Sequence, residues 1–91
     1  MADLILHLKV KYWNDIKEGN KPEEYRERTP YWIKRIKGRA YERVIFCLGY
    51  PAKGDMSKRI IRPYKGYIEK TIKHSHFDNK STDVFAIDTR G

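Results

Sequence analysis

Residues 4–11 read Leu-Ile-Leu-His-Leu-Lys-Val-Lys, with apolar side chains at 4, 6, 8 and 10 and more polar ones between them after Ile5. A period of two marks a half-buried strand, so the chain is predicted to open on one. The pattern then changes. Trp13 and Ile16 lie three apart and share a face of a short helix predicted over Tyr12 to Glu18, with Gly19 placed to end it in a left-handed turn. A second helix is better punctuated. Thr29 is a suitable N-cap, Pro30 stands where its missing N–H costs nothing, and Ile33 and Ile36 share a face. Lys34, Arg35 and Lys37 suit the C-terminal end of its dipole, and Gly38 can close it.

Beyond residue 40 strand character dominates. Tyr41 to Leu48 is rich in β-branched and aromatic residues, and Lys58 to Tyr64, Tyr67 to Lys73 and Asp83 to Asp88 are further strand candidates. Gly49 to Asp55 reads as an exposed loop, because Gly and Pro interrupt the apolar pattern. No repeat, low-complexity segment or linker divides the chain. One α+β domain over residues 1–91 is expected, its mainly antiparallel strands curling into a small barrel beside two short helices.

Composition supports a folded chain. At 91 residues, 40% hydrophobic and with seven Tyr, two Trp and three Phe, it has the material for one modest core. The longest uncharged stretch, Val44 to Ala52, is far short of the roughly 20 residues that cross a bilayer, and no signal-like leader opens the chain. Cys47, the single cysteine, lies in an apolar run and is expected as a buried reduced thiol. Together these imply a cytoplasmic protein without a membrane partner, and a monomer is expected.

Charge sharpens the picture. Residues 26–43 hold seven Lys/Arg against two Glu, and residues 53–73 hold seven against two acids, which concentrates the net +8 in two segments. Tyr25, Tyr31, Trp32, Tyr41, Tyr64 and Tyr67 are interleaved with them. A basic surface carrying aromatic rings suits a partner with phosphates and bases, so nucleic acid is the leading candidate. Two other readings of the charge are a solubility device and a face for an acidic protein. Arg59, Arg62, Lys65 and Lys70, bent at Pro63 and Gly66 and flanked by Tyr64 and Tyr67, form a segment suited to following a phosphate backbone.

Between the two helices lies Gly19-Asn20-Lys21-Pro22-Glu23-Glu24-Tyr25-Arg26, which fits the pattern G-x-K-x-x-E-x-R. If Glu24 and Arg26 sit in a strand they point to one face, and Lys21 in the preceding loop can reach the same cavity. Arg26 offers a planar fork for phosphate or a base edge, Lys21 a point charge, and Glu24 an acceptor for an exocyclic amine or ring N–H. The plainer alternative is an ion pair that staples the loop to the domain.

In this setting of strand, helix, motif, helix and strands, the sequence resembles the ASCH family, which shares the PUA-like fold of RNA-binding domains and whose hallmark is that motif. The resemblance spans nearly the whole chain. It implies a PUA-like β-barrel and a cleft, formed by the motif, that binds RNA or a modified nucleoside through Lys21, Glu24 and Arg26. Arg28, Trp32, Arg59, Arg62, Tyr64, Lys65 and Tyr67 are further nucleic-acid-binding candidates. Some members of the family resemble amidohydrolases acting on an N4-acylated cytidine, with a motif Lys, a nearby Thr and a distant Glu in catalysis. Lys21 matches the Lys, but Glu24 stands where the threonine would be, and Glu69 is the candidate for the distant acid. Should the chain be an enzyme, Lys21 and Glu24 are the catalytic candidates. A ribonuclease would need a base such as His74 or His76. His74 and His76 also resemble a metal pair, yet His7 and Cys47 do not complete a zinc-site spacing, and neither metal nor cofactor is expected.

Overall fold

The computed structural model describes residues 2–74 and 78–90. Among these residues six strands and two α-helices run in the order β1 (Asp3–Leu8), α1 (Val10–Lys17), β2 (Glu23–Glu27), α2 (Pro30–Ile36), β3 (Arg43–Leu48), β4 (Arg59–Pro63), β5 (Tyr67–Lys73) and β6 (Ser81–Asp88). A single 3-10 turn, Met56–Lys58, precedes β4. None of the described helices is long and apolar enough to cross a membrane.

The α+β class holds, while the expected closure into one barrel does not. The strands form two three-stranded sheets, ordered β1-β3-β4 and β2-β6-β5. Three of the four pairings are antiparallel, but β1 runs parallel to β3, from Asp3 opposite Arg43 to Leu8 opposite Leu48. A parallel pair needs a long crossover, and α1, β2 and α2 supply it. Between β2 and β1 the described link is a side chain rather than a ladder, with Arg26 donating to the carbonyl of His7 at 3.0 Å.

Local chemistry explains the element ends. The first strand stops at Leu8 instead of residue 11, because Val10 belongs to the opening turn of α1, where it is exposed. The alternation at Val10 is coincidental; starting the helix there aims Trp13 and Ile16 at the core. Gly19, at φ +79°, closes α1 in the conformation a Cβ disfavours. Thr29 caps α2 as expected, its hydroxyl accepting from the Trp32 N–H at 3.4 Å, with Pro30 at the first helical position. Only Ile36 of the α2 apolar pair is buried; Ile33 is 39% exposed.

One core joins both sheets and both helices: Leu4, Leu6 and Leu8 from β1, Val44 and Phe46 from β3, Ile60, Phe85, Ile87, Trp13, Ile16 and Ile36. Burying a side chain the size of Leu6 or Phe46 contributes about 1.5–3 kcal/mol. The Trp13 indole finds its partner there by donating to the Phe46 carbonyl at 3.0 Å. Cys47 is buried, and burial pushes its thiol pKa up. Because β1 alternates strictly, its other face turns Ile5 and His7 outward.

Candidate nucleic-acid interface

The motif folds as three short pieces. Gly19 ends α1, Lys21 lies in the loop and β2 carries the rest, pairing with β6 so that Glu24 faces Ile87 and Arg26 faces Phe85. Glu24 is buried at 7% exposure and is held by two cations. Its Oε2 accepts from Arg26 Nη2 at 2.8 Å, and its Oε1 lies 3.7 Å from Lys21 Nζ. The three motif side chains predicted to meet therefore do so.

They open, however, onto different surroundings. Lys21 is enclosed, its ammonium 5.2 Å from the Tyr12 ring and 5.0 Å from the Tyr25 ring, with a side chain only 11% exposed. The His74 ring packs against the same two tyrosines, with centroids 6.0 and 5.9 Å away. On the neighbouring position of β2, Glu23 takes hydrogen bonds from Tyr25 at 3.2 Å and Lys70 at 2.7 Å. Burial, then the Glu23 charge, raises the Tyr25 pKa, and the hydrogen bond to Glu23 raises that of Lys70.

Arg26 turns toward a cleft of about 420 Å³ shared by Ile5, His7, Tyr31, Trp32, Arg35 and Tyr50. Its guanidinium lies 5.1 Å from the Trp32 ring, and its buried Nε has no acceptor among the described residues. A second cation repeats the arrangement one turn along α2, where Arg35 lies 4.4 Å from the Tyr31 ring. Opposite in sequence, the Tyr50 ring stacks on His7 at 4.1 Å and 21°. His7 Nδ1 donates to the Gly49 carbonyl at 2.8 Å, so a neutral His7 would carry its lone pair on Nε2. Tyr50 is 86% exposed and Tyr31 57%. Aromatic faces bordered by guanidinium groups suit a planar ligand that carries negative charge.

The other residues singled out from the sequence are placed elsewhere. Arg28 pairs with Glu69 and, at 3.4 Å, with Asp83, so Glu69 of β5 is engaged across β6 by an arginine just past the end of β2. Arg59 donates to the carbonyls of Ala52 and Asp55 at 3.1 and 2.7 Å, pinning the loop before β4. Arg62 donates from Nε to the Thr89 carbonyl at 3.1 Å and from Nη1 to that of Ile61 at 3.2 Å. Lys65 lies 3.9 Å from Asp88. Tyr64 packs edge-on against Tyr41, and Tyr67 against Phe85. The Tyr64 hydroxyl is buried without a partner among the described residues, and burial, more than the neighbouring Tyr41 and Tyr67, pushes its pKa up to about 12.

Of the candidates, then, Arg26 and Trp32 border the cleft, while Lys21 and Arg62 share a smaller recess with Lys17 and Arg90. His7, Tyr31, Arg35 and Tyr50 were not singled out for the site. The signal for two of them was the i, i+4 spacing of Tyr31 and Arg35 on α2; for His7 it was an outward position on a strictly alternating strand. Among the described residues no group of three His, Cys, Asp or Glu side chains is placed to hold a metal ion, and His76 lies outside them. No family model, curated protein or solved structure matches the chain.

Proposed function

We propose that this chain is an ASCH-type, PUA-like domain that binds single-stranded RNA or a modified nucleoside in the cleft beside Arg26 and Trp32. The observation that carries the reading is the repeated pairing of a guanidinium with an aromatic ring, Arg26 on Trp32 and Arg35 on Tyr31, facing the exposed Tyr50 stacked on His7. Every base has a π-face, and stacking one on an aromatic side chain contributes about 1–3 kcal/mol. The arginines answer the phosphates, and the His7 Nε2 lone pair accepts an N–H from a base edge. Glu24 acts behind the cleft, fixing the Arg26 fork through its 2.8 Å bond. The ASCH resemblance of the motif supports the same assignment.

The test is an amide-resolved NMR titration with a short single-stranded RNA at physiological salt. Shifts that cluster at residues 5–7, 26, 31–35 and 50 are expected. Shifts scattered over Lys and Arg positions that vanish with added salt would overturn the reading, since they mark nonspecific charge.

A hydrolytic alternative has one observation in its favour. Lys21 and His74 share the Tyr12 and Tyr25 rings, which brings an ammonium and an imidazole into one aromatic cluster. Turnover of N4-acetylcytidine or of RNA that disappears in Lys21→Ala or His74→Ala would support it, and no product at high protein concentration would remove it.

A further inference from the structure

We propose that the recess bordered by Lys17, Lys21, Arg62 and Arg90 is an anion site that takes a phosphate group. The four cations come from four separate segments: the last turn of α1, the motif loop, β4 and the residues after β6. The recess is about 290 Å³, and Glu18 is the one acid on its wall. Asp88 stands close by but is already engaged, accepting from Arg90 Nε at 3.1 Å with Lys65 Nζ 3.9 Å away. That bond holds the Asp88 pKa below the usual carboxylate range. Glu24 lies behind Lys21, 3.7 Å from its ammonium and bonded to Arg26. With Arg90 paired to Asp88 and Lys21 to Glu24, Glu18 and the negative end of the α1 dipole stand against Lys17 and Arg62, and a small positive excess remains.

These cations are also held in place. Arg62 is fixed by backbone carbonyls through Nε and Nη1, so its fork cannot swing away, and its Nη2 has no acceptor among the described residues. Lys21 is caged by two tyrosine rings, and the Lys17 ammonium lies 5.4 Å from the Trp13 ring. The Arg62 guanidinium with an unused Nη2 beside the Lys17 ammonium matches phosphate geometry, while the Lys21 ammonium, held between Tyr12, Tyr25 and Glu24, adds its charge from behind the wall. No aromatic ring lines the recess, and its size falls just under the roughly 300–1,000 Å³ of pockets for drug-sized ligands. A phosphate, free or on a pentose, fits this chemistry, whereas a stacked base belongs in the cleft. The recess does not depend on the cleft reading, since the two share no lining residue.

The experiment is an NMR titration of the full chain with inorganic phosphate at constant ionic strength, following the amides of residues 17–21 and 90 and the Nε–H signals of Arg62 and Arg90. Saturable shifts confined to these groups are expected, with affinity at least tenfold weaker in Lys17→Ala/Arg90→Ala. Both replaced side chains are exposed, so the variant keeps the core. Shifts that chloride reproduces, no shifts, or an unchanged double variant would each overturn the site. Two further arms identify the source of the phosphate. A response to 5′-phosphorylated but not 5′-hydroxyl RNA assigns a terminal monoester, and an equal response to both assigns an internal phosphodiester. The His7 and Tyr50 signals report the cleft separately, so loss of one reading leaves the other standing.

Discussion

Residues 26–43 and 53–73 carry the same ratio of cations to acids, seven to two, yet only the first sends arginines to the aromatic cleft, while its Arg28 and Arg43 are paired with acids much as the second block's cations are held by oxygens. In the first block, Arg26 and Arg35 lie over Trp32 and Tyr31 at the mouth of a cleft. In the second, Arg59 is spent on loop carbonyls, Lys65 lies near Asp88, and Lys70 is bound to Glu23. Their aromatic neighbours divide the same way: Tyr31 is exposed, while Tyr64 and Tyr67 pack edge-on into the domain. Segment charge therefore does not identify a binding surface. What sets the two cleft arginines apart is a guanidinium laid against a ring, because the ring consumes no N–H group; Arg26 gives its Nη2 to Glu24 and His7 while its Nε has no acceptor among the described residues.

The contrast can be broken most severely at Arg26, which, like Arg28 and Arg43 of the same block, is also tied to a carboxylate. Glu24→Ala strands Arg26 and Lys21, both mostly buried, and should cost about 3–5 kcal/mol in urea unfolding. A loss below about 1 kcal/mol would show that the cations re-solvate freely. Next in size, Trp32→Ala should weaken single-stranded RNA binding by about 1–3 kcal/mol, read as a roughly tenfold to hundredfold change in Kd. Smaller again, Arg35→Gln should weaken binding several-fold and reduce the salt slope by about one, while Lys70→Gln, removing a cation already bound to Glu23, leaves both unchanged. Equal effects of the two would erase the distinction between the blocks.

A change of the opposite sign at neutral pH belongs to Tyr64. Its hydroxyl is buried without a partner among the described residues, so Tyr64→Phe removes a desolvation cost and should leave the fold at least as stable at pH 7. The difference appears in alkali. The unfolded chain gives up this proton near pH 10.0 and the folded chain near pH 12, so the unfolded state binds fewer protons between them. This contribution is complete below pH 10.0, falls as pH rises toward about 12 and is lost above it. Denaturant titrations at stepped pH should show a shallower alkaline decline in Tyr64→Phe than in the parent.

Much of the local structure was legible because local chemistry decides it. β5 occupies Tyr67–Lys73 as the alternation predicts, and Thr29 and Pro30 begin α2. The parallel alignment of β1 with β3 was not legible, since partner choice is made across the whole crossover and leaves no mark on either strand's own pattern. The candidate cleft was half visible. Glu24 and Arg26 could be aligned by strand periodicity, whereas His7 and Gly49 meet 42 residues apart, and Tyr50 sat in what read only as an exposed loop. Lys21 shows a different limit: its spacing predicted the contact with Glu24, but not the two tyrosines that enclose it.

The motif strand β2 has its ladder partner in β6, from Glu23 opposite Asp88 to Glu27 opposite Val84. On the ribosome, residues 23–27 leave the exit tunnel early and wait until residues 81–88 follow before they can pair. Glu24 and Arg26 then reach their final places in one of the most non-local steps of folding, and contacts of such high sequence separation form slowly. A nascent chain would thus carry its densest run of charge before it carries a formed cleft, and the cleft takes shape only once residues 81–88 have left the tunnel.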